Sequence, residues 1–536
     1  MSQNNLSADY IIVGAGSAGS VLAARLSEDK DVSVILIEAG GEAKSFLVQM
    51  PVGFASLVAN KKYDWCYEQE PDPSINGRRF IWSAGKLLGG SSSINGQVYI
   101  RGTRRDYDRW AEAGARGWGY EDLLPYFKRS ENWLGAPNPA RGSGGPMTVV
   151  PMSDFHPTCP IFLQACNQIG LPILDEYNAG DMEGAYLTVA TQRDGWRCST
   201  EKAFLRPARS RPNLQVITNA EVEKIHVVNG RVAGVTLLAN GTRQEIDARR
   251  EVIASAGAMG SPALLMRSGI GSGKHLQALG IDVVRDIPGV GENLQEQPSC
   301  HQHRFVNVPT LNSEVGPLDM ARNMARFLWN KKGPMGAPAV QAMGLARTRD
   351  GLDEPDVQLH FMPLSFDIEP ETQTAAGAKM PKEPTVSMGI TLSRPQGRGR
   401  VVLGPDRKGR VEYQLLADER DMASMVSGMK LISRIYETPA MQKIVIGIRT
   451  PKQLPASDAG WEDFVRAKTG LSYHPNGSCR MGSDPASVVD CQLRVRGVEG
   501  LRVIDASVMP SSPSANTNAT TIMIAERGAE MIRRGV

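Results

Sequence analysis

The chain has 536 residues, more than one hydrophobic core usually accommodates, so at least two domains are expected. With 41% hydrophobic and 22% charged residues, the composition is globular and excludes the disordered and fibrous classes. The net charge of +3 is nearly balanced and gives no reason to expect nucleic acid or an anionic membrane as a partner. The 55 glycines and 34 prolines indicate a loop-rich α/β protein with many tight turns.

The first nine residues, MSQNNLSAD, are polar and lack the basic-then-apolar pattern of a secretory signal. No run of the sequence approaches the roughly 18 apolar residues that span a bilayer. The seven cysteines are odd in number and contain no CxxC pair, which argues against a disulfide framework or a zinc site. We therefore expect a cytoplasmic protein without a transmembrane segment, and peripheral attachment to a membrane or a complex stays open.

Residues 9–42, DYIIVGAGSAGSVLAARLSEDKDVSVILIEAGGE, carry the first pattern with a structural meaning. A short apolar, β-rich run at Tyr10–Val13 predicts a strand that is buried on both faces, and Ser20–Ser27 predicts an amphipathic helix. Val32–Ile37 predicts a second buried strand, which ends at Glu38. This spacing is that of a βαβ unit.

Three glycines in this unit, Gly14, Gly16 and Gly19, form a GxGxxG motif that predicts a dinucleotide site. Gly14 permits a tight turn, Gly16 lets the backbone approach a pyrophosphate, and Gly19 lets the helix pack close to the strand. The helix N-terminus offers free N–H groups and partial positive charge to the phosphates. Glu38 is suited to accept a hydrogen bond from a ribose 2′-hydroxyl. The motif alone does not separate NAD from FAD.

Two further stretches, GKLLGGSSSINGQVYIRG at 85–102 and GAMGSPALLMRSGIG at 257–271, combine small residues with apolar runs. In the first, Gly89, Gly90 and Asn95 precede a strand-like run, so the backbone and polar side chains can press against a flat ring. A plain surface loop is the alternative. In the second stretch, small residues precede an apolar helix that stops at a glycine.

The stretch HPNGSCRMG at 474–482 holds one of only seven histidines, and by itself it does not separate a catalytic base from a metal ligand or a structural residue. Cys479 in the same stretch leaves a Cys/His nucleophile pair open. His301 and His303 have a spacing that could hold a metal, but no HxxE or cysteine cluster accompanies them. A strand with both histidines on one face is therefore favoured.

Taken in order, the βαβ unit, the two glycine-rich stretches, HPNGSCRMG and the tail GLRVIDASVMPSSPSANTNATTIMIAER resemble the glucose–methanol–choline (GMC) family of FAD oxidoreductases. The resemblance spans nearly the whole chain. It implies a mixed α/β fold with a discontinuous, Rossmann-like FAD-binding domain and a substrate domain built on an antiparallel sheet. The FAD-binding domain is expected at 1–155, 205–300 and 476–536, and the substrate domain at 156–204 and 301–475.

The resemblance also implies FAD, bound in an extended form with its adenosine end on the βαβ unit. Trp65 resembles an aromatic residue that often lies beside the flavin. Val222 resembles the position whose backbone holds the adenine, and Asp505 and Ala506 resemble those that hold the diphosphate and ribityl region. Ile94 stands where some relatives attach FAD covalently through a histidine, so noncovalent FAD is expected. The expected cofactor-binding set is Gly14, Gly16, Ser17, Ala18, Gly19, Glu38, Ala39, Trp65, Gly89, Gly90, Asn95, Gly96, Val98, Val222, Asp505, Ala506 and Thr517.

The same resemblance makes His474 the catalytic histidine. A neutral imidazole, with an unperturbed pKa of about 6.5, can take the hydroxyl proton near neutrality, and the flavin N5 then receives the hydride. The family position that orients the alcohol falls on Asn516. Thr517 and Asn518 are expected to face the flavin or to cap a helix from about 520 to 534.

The resemblance restricts the range of possible substrates only in part, because relatives in this family oxidise alcohols of very different shapes. Tyr473 is suited to stack on an aromatic substrate or to contact a cationic one, and a wall residue without selectivity is the alternative. Phe361, Met362 and Phe366 are apolar candidates for lining the site, and 301–475 contains no obvious acidic-aromatic cage for a quaternary ammonium. We expect a neutral primary alcohol, aromatic or furanic ones included, and no bound metal.

Other functions stay open at this point. A choline dehydrogenase-type activity, an FAD-containing hydroxynitrile lyase without net redox, and an FAD-bound protein without catalysis are the alternatives. Oxidases and dehydrogenases share His474 and Asn516, so electrons pass to O₂ or to another acceptor that no motif identifies. In the context of this family, Cys479 is interpreted as a packing residue rather than a nucleophile.

Overall fold

The computed structural model describes residues 6–180, 182–367 and 380–536, so the first five residues of the polar N-terminal stretch lie outside it. Over the described residues the chain forms two seven-stranded sheets, accompanied by helices and by small sheets of two or three strands. The mixed α/β class expected from the sequence is confirmed.

The first large sheet is Rossmann-like. Its strands lie in the order Leu214–Ile217, Val34–Ile37, Leu6–Val13, Thr242–Ala254, Arg231–Ala239 and Ala220–Val228, and Leu501–Val503 pairs with the carboxyl end of Thr242–Ala254. The pairings from the first of these strands to Thr242–Ala254 are parallel, and the two that follow are antiparallel. Parallel strands of this kind end at one edge of the sheet, where nucleotide sites form.

The βαβ unit at the front of the chain forms as predicted, with shifted boundaries. The strand Leu6–Val13 is buried over its last six residues, and Val34–Ile37 is buried throughout, as expected for strands covered on both faces. The helix between them is Ser17–Leu26, which begins three residues before the predicted start because Gly16, not a later residue, holds the N-cap position.

A helix from the other end of the chain, Thr517–Arg534, packs directly on the front helix. Its Glu526 has a fully buried side chain and is paired with Arg25 at 2.8 Å and with Arg129 at 2.9 Å. A buried carboxylate is tolerated when it is paired and hydrogen-bonded in this way. The two arginines thus join the terminal helix to two separate helices of the N-terminal part.

The second large sheet is antiparallel and covers the cavity described below. Its strands lie in the order Val445–Thr450, Pro298–Val306, Thr385–Leu392, Val357–Met362, Ala342–Ala346 and Gly184–Leu187, with Gly470–Leu471 pairing along Pro298–Val306. From the sequence, TVSMGITLSRP (385–395) and GRVVLG (399–404) are expected to form strands, and LDMARNMARFLWNKKG (318–333) a helix that ends at glycine. The strands are observed at Thr385–Leu392 and Arg400–Leu403, and the helix at Pro317–Asn330.

The strands of the first sheet all fall inside the expected FAD-binding segments. Those of the second fall in the expected substrate segments, except that Pro298–Val306 crosses the expected boundary at residue 300. The domain boundaries themselves stay a prediction. The longer helices besides those already given are Arg104–Glu112, Tyr120–Ser130, Thr158–Gln168, Gly257–Arg267, Glu419–Tyr436 and Asp458–Lys468.

All seven cysteines are unpaired. Within the described parts of the chain, every helix is too short or too polar to cross a membrane.

Candidate active site

The glycine-rich turn after the first strand is shaped by close backbone contacts. Gly14 has φ +100°, and a Cβ there would lie 2.5 Å from the Ser255 carbonyl oxygen. A Cβ on Gly19 would lie 1.8 Å from the Gly14 carbonyl oxygen, so only glycine lets this helix start so close to the turn. Nothing lies within 4 Å of the corresponding position on Gly16, whose backbone faces open space.

The GGSSSIN loop lies against this turn. A Cβ on Gly90 would be 2.7 Å from Cα of Gly16, and the Gly89 N–H donates to the Ala15 carbonyl at 2.7 Å. Gly90 lines the cavity, whereas Gly89 lies behind its wall, where a Cβ would meet the Ser93 hydroxyl at 2.3 Å. Among the predicted cofactor residues, Gly19 and Gly89 therefore support the wall and do not form part of its surface.

A cavity of about 1920 Å³ begins at these two loops and extends under the antiparallel sheet to His474. Small-molecule sites usually have roughly 300–1,000 Å³, so this one has room for an extended cofactor together with a substrate. The predicted cofactor residues that line it are Gly14, Gly16, Ser17, Ala18, Glu38, Ala39, Trp65, Gly90, Asn95, Gly96, Val98, Val222, Asp505, Ala506 and Thr517.

The Glu38 carboxylate lies at the nucleotide end of the cavity. One of its oxygens accepts the Ala15 N–H at 2.9 Å and the other accepts the Gly40 N–H at 2.8 Å. Burial raises the pKa of Glu38 to about 7, against the lowering effect of those N–H groups. Each carboxylate oxygen can accept a second hydrogen bond, so the side chain still fits the ribose contact predicted for it.

The Asp505 carboxylate joins two of the motifs recognised in the sequence. It accepts hydrogen bonds from the Gly257 N–H at 2.8 Å, the Ser261 hydroxyl at 2.6 Å and the Ser507 N–H at 2.8 Å. Burial raises the pKa of Asp505, and these donors oppose that rise. The side chain thus fixes the N-terminus of the helix Gly257–Arg267 beside the VIDAS segment and leaves the backbone of that segment at the cavity surface.

Trp65, two residues before the short strand Tyr67–Glu68, and Val222, in the strand Ala220–Val228, both line the cavity. The Trp65 ring stacks on Tyr67 with centroids 5.9 Å apart, and the Lys86 ammonium lies 4.4 Å above it. The Val222 carbonyl accepts a hydrogen bond from the Arg267 guanidinium at 3.2 Å. Both contacts hold the two residues at the surface where the adenine and the flavin are expected.

His474 lies at the opposite end of the cavity, and both of its ring nitrogens have hydrogen-bond partners. Nδ1 is 2.7 Å from the Gln297 side-chain oxygen, and Nε2 is 2.8 Å from the side-chain nitrogen of Asn516. Burial lowers the pKa of His474 to about 4, so the ring is neutral at pH 7. The two residues that the sequence analysis selected for catalysis are therefore in direct contact.

Gln297 determines which nitrogen of that neutral ring carries the hydrogen. Its side-chain NH₂ donates to the carbonyls of Ser393 at 2.8 Å and Pro513 at 2.9 Å, so the amide oxygen must be the atom that faces the ring. An amide oxygen only accepts, and Nδ1 of His474 is therefore the N–H donor. Nε2 therefore carries the lone pair, which accepts a hydrogen bond from the Asn516 NH₂.

The main chain at His474 is held by a second buried residue, Glu296. Its carboxylate accepts the N–H groups of Ser472 at 3.0 Å and of His474 at 2.9 Å, and burial raises its pKa to about 8. Between these two residues, Tyr473 has φ +61°, a left-handed conformation that costs free energy for a residue with a Cβ. The contacts of Glu296 hold the loop in that conformation.

Neither Gln297 nor Glu296 was selected from the sequence. Gln297 lies 177 residues before His474, and GVGENLQEQPS contains no spacing that connects it to HPNGSCRMG. Six of the eleven residues in that stretch are polar, so no local signal distinguishes Glu296 and Gln297 from an ordinary polar loop.

Asn516 occupies the N-cap position of the helix Thr517–Arg534, and its side-chain oxygen is buried without a hydrogen-bond partner among the described residues. The helix thus begins at Thr517, three residues before the predicted start. Thr517 and Asn518 line the cavity, and the Asn518 side-chain oxygen accepts a hydrogen bond from the Ser17 hydroxyl at 2.7 Å. Their contact with the flavin stays a prediction.

The prediction that Phe361 lines the substrate site is wrong. Its ring is fully buried and stacks on Phe162, with centroids 4.8 Å apart, on the face of the sheet that points away from the cavity. Side chains alternate along a strand, so its neighbours His360 and Met362 point into the cavity instead. Tyr473 and Phe366 line the cavity as well.

His301 and His303 lie on one face of the strand Pro298–Val306, as predicted, with nearly parallel rings whose centroids are 6.4 Å apart. Within residues 6–180, 182–367 and 380–536, no group of three or more histidine, cysteine or acidic side chains is arranged to hold a metal ion. Cys479 is fully buried, and burial raises the pKa of its thiol, so the environment does not favour a thiolate.

A glycine-rich nucleotide loop at one end of a cavity and a neutral, oriented imidazole at the other define an oxidoreductase site that uses a dinucleotide cofactor. Comparison with known proteins specifies the class. A family model described as GMC oxidoreductase matches residues 8–299, and a second model with the same description matches residues 395–525. The chain therefore belongs to the GMC oxidoreductase family.

Relatives and solved structures agree with this assignment. The chain is 37% identical over 541 residues to the oxygen-dependent choline dehydrogenase of Photobacterium profundum, covering 98% of this chain and 93% of that one. Its identity to the enzyme of that name from Pseudomonas aeruginosa is 38%, covering 98% and 94%. The structure of pyridoxine 4-oxidase from Mesorbium loti has a TM-score of 0.89 and 30% identity, covering 98% and 99%. That of a formate oxidase has a TM-score of 0.92 and 25% identity, covering 100% and 99%.

With the family shown, the protein is an FAD-dependent oxidoreductase that acts on the CH–OH group of an alcohol. FAD is the cofactor that the sequence analysis expected, and the cavity has the size and the glycine-rich wall that this group requires.

Proposed function

We propose that His474 removes the hydroxyl proton of a neutral primary alcohol, aromatic and furanic alcohols included, and that Asn516 holds the alcohol oxygen. FAD, when bound, supplies the acceptor for the hydride and carries the redox chemistry. Loss of hydride from a carbinol carbon is easier once the oxygen has lost its proton. A well-positioned general base typically contributes roughly 10²- to 10⁴-fold to such a step.

One observation carries the proposal: the ring of His474 has its hydrogen on Nδ1, toward Gln297, and its lone pair on Nε2, beside Asn516 at the cavity surface. A substrate hydroxyl that donates to Nε2 replaces the Asn516 NH₂ there. That NH₂ can then donate to the alcohol oxygen as negative charge develops on it. Because burial lowers the pKa of His474 to about 4, the base is in its active, neutral form at pH 7.

A choline-type substrate is the second candidate, favoured by the two choline dehydrogenases that are 37% and 38% identical to the chain. A quaternary ammonium is usually held by carboxylates or by aromatic faces. On the sheet above the loop that carries His474 (residues 472–474, the catalytic loop), the neighbouring side chains Ser299, Thr391 and Gln358 are uncharged. Tyr473 and Phe366 offer aromatic faces, but these three sheet residues add no carboxylate beside the loop. The proposal therefore keeps the neutral alcohol ahead of choline.

The remaining parts of the proposal concern the electron acceptor, the cofactor bond and the location. Electrons pass to O₂ or to another acceptor. FAD is bound noncovalently, since Ile94 lines the cavity where a histidine attachment would be needed. A cytoplasmic location is supported by the seven unpaired cysteines, because reducing compartments keep thiols free.

The test is anaerobic mixing of the FAD-loaded protein with benzyl alcohol or with choline, followed by flavin absorbance. Bleaching by benzyl alcohol at lower concentration than by choline supports the proposal, and the reverse order supports the second candidate. Bleaching by neither, with hydroxynitrile cleavage instead, overturns both. An oxygen electrode run beside a dye-reduction assay then distinguishes an oxidase from a dehydrogenase.

A further inference from the structure

The substrate end of the cavity contains histidines that the proton transfer does not use. His301 and His303 lie on the strand Pro298–Val306, His360 lies on Val357–Met362, and all three line the cavity. Burial lowers the pKa of His301 to about 4 and that of His360 to about 3, so these rings are neutral at pH 7. A neutral imidazole offers one hydrogen-bond donor and one acceptor.

The register of the sheet sets the position of His301 relative to the catalytic loop. Thr391 pairs with Ser299 on one side and is joined to the catalytic loop by a 3.1 Å contact with the Ser472 hydroxyl. The next residues on the same face are His301 and its partner Gly389, one side-chain repeat further from the loop. Two residues along a strand span roughly 7 Å.

The neighbouring strands leave room for the ring of His301. Gly389 lies between His301 and His360 in one row across three strands. A Cβ on Gly389 would lie 2.2 Å from the His301 ring, so the ring occupies the space where any other residue would put its side chain. Because position 389 is a glycine, the His301 imidazole can lie against the face of the antiparallel sheet that covers the cavity.

His301 also differs from the other two histidines in its hydrogen bonds. His303 Nδ1 contacts the Ser387 hydroxyl at 2.6 Å, and His360 Nε2 contacts the Gln358 amide oxygen at 3.1 Å. For His301, neither ring nitrogen has a partner in the part of the chain that the structure describes. The His301 ring is partly exposed and lines the cavity, so its nitrogens are available to hydrogen-bond a ligand there.

We propose that His301 binds a second hydrogen-bonding group of the substrate, about one side-chain repeat away from the carbinol that His474 deprotonates. The substrate class is a neutral aromatic or furanic primary alcohol that carries another hydroxyl or a ring heteroatom on its far side. This inference rests on the proposed alcohol oxidation and adds to it the feature by which the substrate is selected.

The test compares two matched alcohols, 1,4-benzenedimethanol and 4-methylbenzyl alcohol, which differ by one distal hydroxyl. The measured quantity is the ratio of their kcat/KM values, first in the parent and then in His301→Leu. Dividing one ratio by the other cancels the intrinsic reactivity of each alcohol. We expect His301→Leu to lower the preference for the diol by roughly tenfold, mainly through KM, and His301→Asn to lower it less.

Cys300→Ala is the matched control, because Cys300 is a neighbour on the same strand whose fully buried side chain points to the opposite face. Its ratio should equal that of the parent. A parent without preference for the diol, or a flavin-loaded His301→Leu with an unchanged ratio, overturns the inference. If His301→Leu does not fold, an unchanged ratio in His301→Asn and His301→Gln does so.

Failure of the proposed function gives a different result. If neither alcohol reduces the flavin of the parent, the proposal that the protein oxidises this substrate class is wrong. The dissociation constants of both alcohols are then measured from the flavin absorbance change. A diol that binds more tightly to the parent than to His301→Leu then still supports the role of His301, and equal binding overturns it.

Discussion

The side-chain oxygen of Gln297 accepts the Nδ1 hydrogen of His474 across 2.7 Å, and this bond decides which ring nitrogen is free to act as the base. The two carbonyls that accept from the Gln297 NH₂ keep the amide from turning over. In a neutral imidazole the two nitrogens have opposite roles, so a ring held in the other tautomer would present a donor to the alcohol instead of an acceptor.

Removing the base should slow flavin reduction without releasing the cofactor. We expect His474→Ala to lower the anaerobic reduction rate by at least 10²-fold, because the alcohol must then lose hydride while it still holds its proton. Asn516→Ala should cost less, since it removes a hydrogen-bond donor and leaves the base. Stopped-flow absorbance measures both rates. A His474→Ala variant that reduces as fast as the parent contradicts the mechanism.

The pH dependence of the parent should reflect the buried state of His474. Burial lowers its pKa from 6.5 to about 4, so the ring stays unprotonated and active as the pH falls through 6, and activity is lost only near pH 4. The measurement is kcat/KM against pH, with flavin absorbance used to verify that the cofactor stays bound. An acid limb centred near 6.5 would contradict a desolvated ring.

Substitutions at Gln297 should separate positioning of the ring from simple packing. Gln297→Leu leaves the Nδ1 hydrogen without an acceptor, and we expect flavin reduction to fall by about 10- to 100-fold with FAD still bound. Gln297→Glu restores an acceptor and should recover part of the rate.

The pH profile gives Gln297→Glu a second outcome. A carboxylate beside Nδ1–H stabilises the imidazolium, so the pKa of His474 should rise and the acid limb should move to higher pH. Equal rates in the parent and Gln297→Leu, or an acid limb that moves downward in Gln297→Glu, would show that the residue does not position the base.

Contact between the two glycine-rich loops should be needed for FAD binding. In Gly90→Ala the new Cβ would lie 2.7 Å from Cα of Gly16 at a φ of +51°, so the loops must separate. We expect weaker retention of FAD, measured as the ratio of flavin to protein absorbance after gel filtration. Gly77→Ala is the control, because it has a similar backbone strain at φ +73° but no atom within 4 Å of the new Cβ. Equal flavin loss in both variants would contradict a specific role for the contact.

The cofactor should be released by denaturation. Ile94 offers no nucleophile for a bond to FAD, and we expect acid precipitation to leave a colourless pellet and a yellow supernatant. Absorbance of the two fractions near 450 nm is the measurement. Flavin that stays with the washed pellet would contradict noncovalent binding.

The local parts of this fold were predictable from the sequence because each rests on short-range patterns. The βαβ unit, the terminal helix and the strands over 385–403 follow from runs of apolar residues and from glycines at turns. Helix starts were the less accurate part. Both Ser17–Leu26 and Thr517–Arg534 begin three residues early, since their first turns face a cavity and have no apolar periodicity.

The error at Phe361 has a definite physical reason. Val357–Met362 lies in the middle of a sheet and is buried on nearly every residue, so its sequence does not reveal which face is the cavity. The contacts of His474 show which parts of the site could not be predicted from the sequence. Asn516 was found through a motif, but Gln297 and Glu296 reach the histidine only through the fold, from a segment of the chain about 180 residues away.

The pairing of Leu501–Val503 with Thr242–Ala254, together with the burial of Glu526 between Arg25 and Arg129, has a consequence for biosynthesis. The nucleotide-binding sheet begins at residue 6 but lacks a strand and a covering helix until the segment ending at Arg534 has left the ribosome. Such long-range contacts form late, so the nascent chain must be kept from aggregating with this sheet incomplete. We therefore expect stable flavin binding only after the segment up to Arg534 has been synthesised.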